Sequence, residues 1–224
     1  MNIMYKLAVS LKLFQRNRVP LGKKVRGLEL YLQGLSYGQV SEYLGGVSRQ
    51  AVNYWMERLT EKIQSAHIKV SRKKREYVAI DETKLKLRGR QFYIWAAIDV
   101  KTKELLAVTV SWGRHSAVAY DFISSVLKTC EGKPVFLVDH APWYLWAFRV
   151  LKLKYEQIAF STRNCIERWF RTLKERTRRF YNNFMSGRGL IHVVSLLRVF
   201  VLYYNFMRIH TKFGKPPGRW EGLS

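Results

Sequence analysis

Apolar positions change their period near residue 71, and the two stretches on either side predict different architectures. From Val25 to Leu59 they recur at helical spacing with short breaks, the pattern of three helices too short to stand without packing on one another. Leu28, Tyr31 and Leu32 make the inward face of the first. Ser36, with Gln39 three residues on, is a capping box that opens a second helix carrying Val40, Tyr43 and Leu44 inward, and Gly45-Gly46 ends it. Ser48 caps a third, in which Val52, Trp55, Met56 and Leu59 fall on one buried stripe. Its opposite face presents Arg49, Gln50, Asn53 and Tyr54 near the helix N-terminus, where a helix-turn-helix reader meets base edges and phosphates in the major groove.

The basic string Arg72-Lys73-Lys74-Arg75 reads as a solvated linker that can also hold phosphate. Beyond it the pattern is strand-like. Tyr77 to Asp81 is an apolar strand ending in an acid; Phe92–Asp99 and Glu104–Ser111 form a hairpin around Val100 to Lys103. Ser116 to Thr129 is helical, and Pro134 to Asp139 is a second apolar strand ending in an acid, as expected of a strand covered on both faces. That order predicts an α/β sheet of mixed direction. The domains expected are residues 1–71, a small all-α DNA-binding unit, and 72–224, the sheet with a C-terminal helix.

Of only four aspartates, Asp81 and Asp139 end the two most apolar strands, whereas Asp99 and Asp121 read as turn and surface acids. A carboxylate at a buried strand tip is costly unless paired, and a divalent cation pairs two such groups at once. A third acid is offered by Glu167. On a helix, Glu167, Arg171, Lys174 and Arg178 share one stripe, with Ile166, Trp169, Phe170 and Leu173 on the apolar side. Taken alone, that stripe reads as an ordinary Glu167–Arg171 ion pair on a solvated face.

The charge changes this picture. Forty Lys and Arg against 16 Asp and Glu give +24, an excess tolerated most readily beside a polyanion, usually nucleic acid. Cys130 and Cys165 have no disulfide or zinc spacing and point to a reducing compartment. The most apolar run, Ile191 to Met207, is interrupted by Arg198 and falls short of the ~20 residues a bilayer requires, so it reads as a buried helix with no membrane role.

Taken together, these residues resemble the DDE transposases of small bacterial and archaeal insertion sequences, relatives of retroviral integrases. The resemblance runs through the front helices, Val78-Ala-Ile-Asp81-Glu-Thr, Ala97-Ile-Asp99 and Leu137-Val-Asp139. It continues through Asn164, three before Glu167, to Lys174, seven after it, and the tail Tyr204-Asn205, Arg208, His210 and Pro216. The interval between Asp139 and Glu167 is 27 residues, shorter than is usual in the family, so the fifth strand around Tyr155 to Phe160 has to be compact. Glu175 and Glu156 are the other acids available there, without Asn and Lys at matching offsets.

The resemblance implies a ribonuclease H-like five-stranded mixed sheet with flanking helices behind a helix-turn-helix domain. It implies an enzyme that nicks the ends of its insertion element and joins the 3′-hydroxyls to target DNA. Asp81, Asp139 and Glu167 would hold two Mg²⁺ ions, for which Mn²⁺ can substitute, since an all-oxygen site favours hard cations. Arg171, Lys174 and Arg178 would grip DNA. The partners implied are double-stranded DNA, as terminal inverted repeats and target, and a second copy of the chain, in a prokaryotic cytoplasm beside the nucleoid. A stand-alone metal-dependent nuclease and an inactive transposase-derived DNA binder are the alternatives.

Overall fold

The computed structural model describes residues 2–15, 18–64, 70–87, 89–158, 164–179 and 189–220. The chain divides into two compact units, Met1–Lys69 with Leu190–Pro216 and Trp220–Ser224, and Val70–Gly189 with Pro217–Arg219. The division falls between Lys69 and Val70, and Leu190–Pro216 groups with the front of the chain.

In the first unit, α1 (Ile3–Ser10), α2 (Leu21–Gln33), α3 (Tyr37–Leu44) and α4 (Arg49–Gln64) precede the terminal helix α8 (Gly189–Phe206). α1 was not expected from periodicity. Eight residues are too few for a clear period, yet Met4 and Leu7 are fully buried and Asn2 caps the start. The capping box of α3 forms in full, Ser36 Oγ accepting from the Gln39 amide and Gln39 returning the bond. Tyr43 departs from expectation: it is 63% exposed, while Val40 is buried. A two-turn helix buries a narrow stripe, and Tyr43 lies past its edge, with the Arg26 guanidinium over its ring at 5.9 Å. On α4 the inward stripe is as expected, with Val52, Trp55, Met56 and Leu59 all buried. Among the described residues, no helix, α8 included, is long and apolar enough to cross a membrane.

The second unit is built on a five-stranded sheet. β2 (Tyr77–Leu87), β3 (Arg90–Asp99) and β4 (Leu105–Ser111) form an antiparallel meander, and β6 (Val135–Val138) and β7 (Tyr155–Gln157) join parallel, giving the order β4-β3-β2-β6-β7. α5 (Ser116–Leu127) and α6 (Trp143–Leu151) cover one face, where Val78, Ile80, Trp95, Phe122, Phe136, Tyr144 and Phe148 make the main core. α7 (Asn164–Arg179) packs against β2 and β3, burying Ile166, Trp169, Phe170 and Leu173. A sheet covered on both sides explains why Val78–Ile80 and Phe136–Val138 are continuous apolar runs rather than alternating ones.

The basic string is no solvated linker. Lys73–Lys74 is a short strand, β1, paired parallel with β5 (Cys130–Glu131). Arg75 is buried, its Nη1 2.7 Å from Asp99 Oδ2 and its Nη2 3.1 Å from Glu104 Oε2. Asp99 Oδ1 also accepts the amides of Lys101 and Thr102, fixing the β3–β4 turn. Asp99 is therefore a structural acid, held by a cation that sequence spacing could not assign to it.

Candidate active site

Asp81 does not end its strand, because β2 runs on to Leu87 in a long hairpin with β3. What ends just before Asp81, at Ala79↔Leu137, is the parallel pairing. β2 and β6 are in register as Val78↔Phe136 and Ala79↔Leu137, and two positions further along each strand stand Asp81 and Asp139. Paired residues of a parallel ladder point to the same face, so the two carboxylates project side by side from neighbouring strands where β6 stops. Both are half-buried; Asp81 Oδ1 accepts the Glu82 amide at 2.9 Å and Asp139 Oδ1 the Ala141 amide at 3.0 Å.

Glu167 comes from the first turn of α7. A cavity of about 500 Å³ is lined by Asp81, Glu82 and Thr83 of β2 and by Glu167, Phe170, Arg171, Lys174 and Glu175 of α7. The wall thus joins two of the three expected acids and two of the expected cations. Glu175 shares it, whereas Glu156 is exposed on the edge strand β7. Asp139 adjoins the cavity through the strand register rather than lining it. Among the described residues, no three acid, imidazole or thiol side chains are gathered closely enough to hold a metal ion as they stand. Carboxylates brought near one another repel without a counter-charge, which a cation would supply. The donor chemistry suits one: oxygen only, two carboxylates on rigid adjacent strands and a third on the helix opposite. The side chains of Asn164 and Arg178 lie outside the described residues.

Sequence reasoning missed what supports the acids from the other face. Side chains alternate along β2, so Glu82 projects toward α5 and α6 while Asp81 faces α7. The Tyr144 hydroxyl donates to Glu82 Oε2, and Arg114 Nη1 lies 3.3 Å from Oε1. Burial raises the Glu82 carboxyl above its ordinary value, opposed by the Tyr144 hydrogen bond and helped by the nearby Asp139 charge. Burial first and the Glu82 charge second push the Tyr144 hydroxyl well up, with Asp81 and Asp139 adding to it. The Tyr144 hydroxyl thus bonds Glu82 directly and lies in the field of Asp81 and Asp139. The sequence signal was Glu82 itself, an acid directly after Asp81.

In the first unit, Arg49, Gln50 and Tyr54 are exposed on α4, and Asn53 is half-buried with its amide donating to Glu57 at 3.3 Å. Ser48 Oγ accepts the Ala51 amide, capping the helix as expected.

Residues 75–204 match the family model of the DDE domain of IS240-type transposases. The chain belongs to the DDE transposase family. An uncharacterised protein of Methanocaldococcus jannaschii is 38% identical over 203 residues, which are 89% of this chain and 93% of that one. A second relative, an uncharacterised protein of Aquifex aeolicus, is 40% identical over 50 residues, 22% of this chain and 41% of its own length. In three dimensions the transposase is similar to a chain of the simian T-cell lymphotropic virus intasome, at TM-score 0.54 and 13% identity over 85% of this chain and 72% of the other. It is also similar to the HTLV-2 integrase catalytic core, solved with magnesium, at TM-score 0.51 and 13% identity over 66% of this chain and 96% of that one. The fold is therefore the ribonuclease H-like one of retroviral integrases.

Proposed function

We propose that this DDE transposase binds the ends of its insertion element, nicks them and joins the freed 3′-hydroxyls to target DNA, with Asp81, Asp139 and Glu167 as its catalytic acids. The observation that carries the proposal is the placement of Asp81 and Asp139 each two residues past the last parallel pair, Ala79↔Leu137, beside a cavity that Asp81 shares with Glu167, Arg171 and Lys174.

In the first step water attacks the scissile phosphorus and the bond to the 3′ oxygen breaks, leaving a 3′-hydroxyl and a 5′-phosphate. In the second that hydroxyl attacks a target phosphodiester; a new P–O bond forms, and the displaced 3′ oxygen of the target leaves as a hydroxyl after taking up a proton. Two Mg²⁺ ions, replaceable by Mn²⁺, would supply Lewis-acid stabilisation of the attacking and leaving oxygens when bound. Asp81 and Asp139 would hold them from the sheet and Glu167 from α7. Arg171 and Lys174, along the same wall, would fix the strand by its phosphates. Arg178 is assigned the same role from its spacing in the sequence alone.

We assign Arg49, Gln50, Asn53 and Tyr54 of α4 to reading the terminal repeats, as a helix-turn-helix within residues 1–71. Two ends must be handled together, so the working form is a dimer or higher oligomer on double-stranded DNA, acting in the cytoplasm beside the nucleoid.

The test is a strand-transfer assay on a labelled duplex carrying the element's end, comparing wild type with Asp139→Asn in Mg²⁺ or Mn²⁺. Metal-dependent nicking and joining should vanish in the variant while DNA binding remains. Wild-type cleavage without preference for the end, and without joining, would make the protein a nuclease. Binding without cleavage under either metal would make it an inactive DNA binder.

A further inference from the structure

We propose that Arg114, presented by the turn between β4 and α5, is a second DNA-phosphate contact, on the side of the acid pair away from α7, and that Glu82 is the residue that positions it. The inference rests on the transposase reading above.

The turn is tied down from within. Ser111 Oγ accepts the indole N–H of buried Trp95 at 2.8 Å and donates to the Gly113 carbonyl at 2.6 Å. The Arg114 guanidinium then lies over the Trp143 ring at 4.5 Å and the Tyr93 ring at 5.2 Å, with Nη1 against Glu82 Oε1. An arginine on a surface ordinarily loses side-chain freedom when it binds; here two ring faces and a carboxylate have ordered it beforehand.

Exposure separates this pair from a purely structural one. Arg75, which neutralises Asp99 and Glu104, has no exposed side-chain surface. Arg114 remains 44% exposed although its partner Glu82 is only 3% exposed. A guanidinium has five N–H donors, so a cation held by one edge and open to solvent on the other retains donors for phosphate. The same turn presents Trp112, 52% exposed, an apolar face against which a sugar or base can lie. Glu82 and Asp81 are consecutive on β2 with side chains on opposite faces, so Arg114 stands across the strand from Arg171 and Lys174, and a duplex seated over the acids would be gripped from both sides of β2.

The experiment measures affinity for the labelled end duplex across a salt series, for wild type, Arg114→Gln, Arg114→Lys and the double variant Glu82→Gln/Arg114→Gln, each checked by its melting curve. Arg114→Gln should bind several-fold more weakly, with its log–log salt slope reduced by about 0.9, the value for one phosphate contact. Arg114→Lys should keep the slope. The double variant, which restores local neutrality, should stay as weak as Arg114→Gln. If Arg114 serves only to neutralise Glu82, the double variant recovers wild-type affinity and slope, and the assignment is overturned. It is equally overturned by an unchanged slope in Arg114→Gln. Should Arg114→Gln fail to fold, the double variant, whose buried carboxylate is also removed, decides alone. Wild-type protein that binds duplex without salt dependence would instead overturn the transposase reading itself.

Discussion

Arg75 exposes no side-chain surface and faces two carboxylates, those of Asp99 and Glu104, that are themselves buried. Such a group contributes little net attraction after desolvation, but removing one member leaves charge stranded in the core. Arg75→Met is therefore expected to lose about 3–5 kcal/mol, measured by urea unfolding. A result below about 1 kcal/mol would mean that water reaches the acids and that the network is a surface pair. Cys130 tests burial in another way. Desolvation raises its thiol above the ordinary value, with only partial relief from Thr129. The native thiol should resist iodoacetamide at mildly alkaline pH and react on unfolding. The thiol's stabilising contribution is complete below the ordinary thiol pKa and is lost as pH rises through the raised one, so from neutral to alkaline pH Cys130→Ala should lose less stability than wild type, read from urea unfolding at both pH values.

At the scale of elements, α3 depends on its first turn more than on its stripe, since Val40 is its only buried residue. Ser36→Ala breaks the capping box and should cost about 1 kcal/mol in thermal or chemical unfolding, with Ser36→Thr close to wild type. Periodicity read α4 and α7 well because each is 16 residues long, enough for Val52, Trp55, Met56 and Leu59, or Ile166, Trp169, Phe170 and Leu173, to establish a face. It failed where elements are short or where pairing rather than period decides. Tyr43 sits at permitted helical spacing yet faces out, α1 is too brief to register, and β2 extends past Asp81 because β3 supplies partners through Arg90. The string from Arg72 to Arg75 has the composition of a linker, but the acids that bury Arg75 lie 24 and 29 residues away.

Over the whole molecule the charge of +24 predicts DNA binding that is mostly counterion release. Raising salt from roughly 50 to 200 mM should weaken duplex binding by about a thousandfold if six or more phosphates are contacted, and filter binding or anisotropy would show it. A shallow dependence would mean that much of the basic surface serves another purpose. The sequence by itself determined the class of partner, the two kinds of architecture, the helical faces and the identity of the candidate acids, since composition and local period depend only on neighbours along the chain. It could not determine that Asp81 and Asp139 stand abreast, that Glu167 and Glu175 look into the same cavity as Asp81, that Tyr144 hydrogen-bonds Glu82, that Arg114 is pinned by Glu82, or that the last helix groups with the first ones. Those facts depend on strand register and on which face each helix covers. Both are settled by burial and hydrogen bonding between segments far apart in the chain, which only the folded structure brings together.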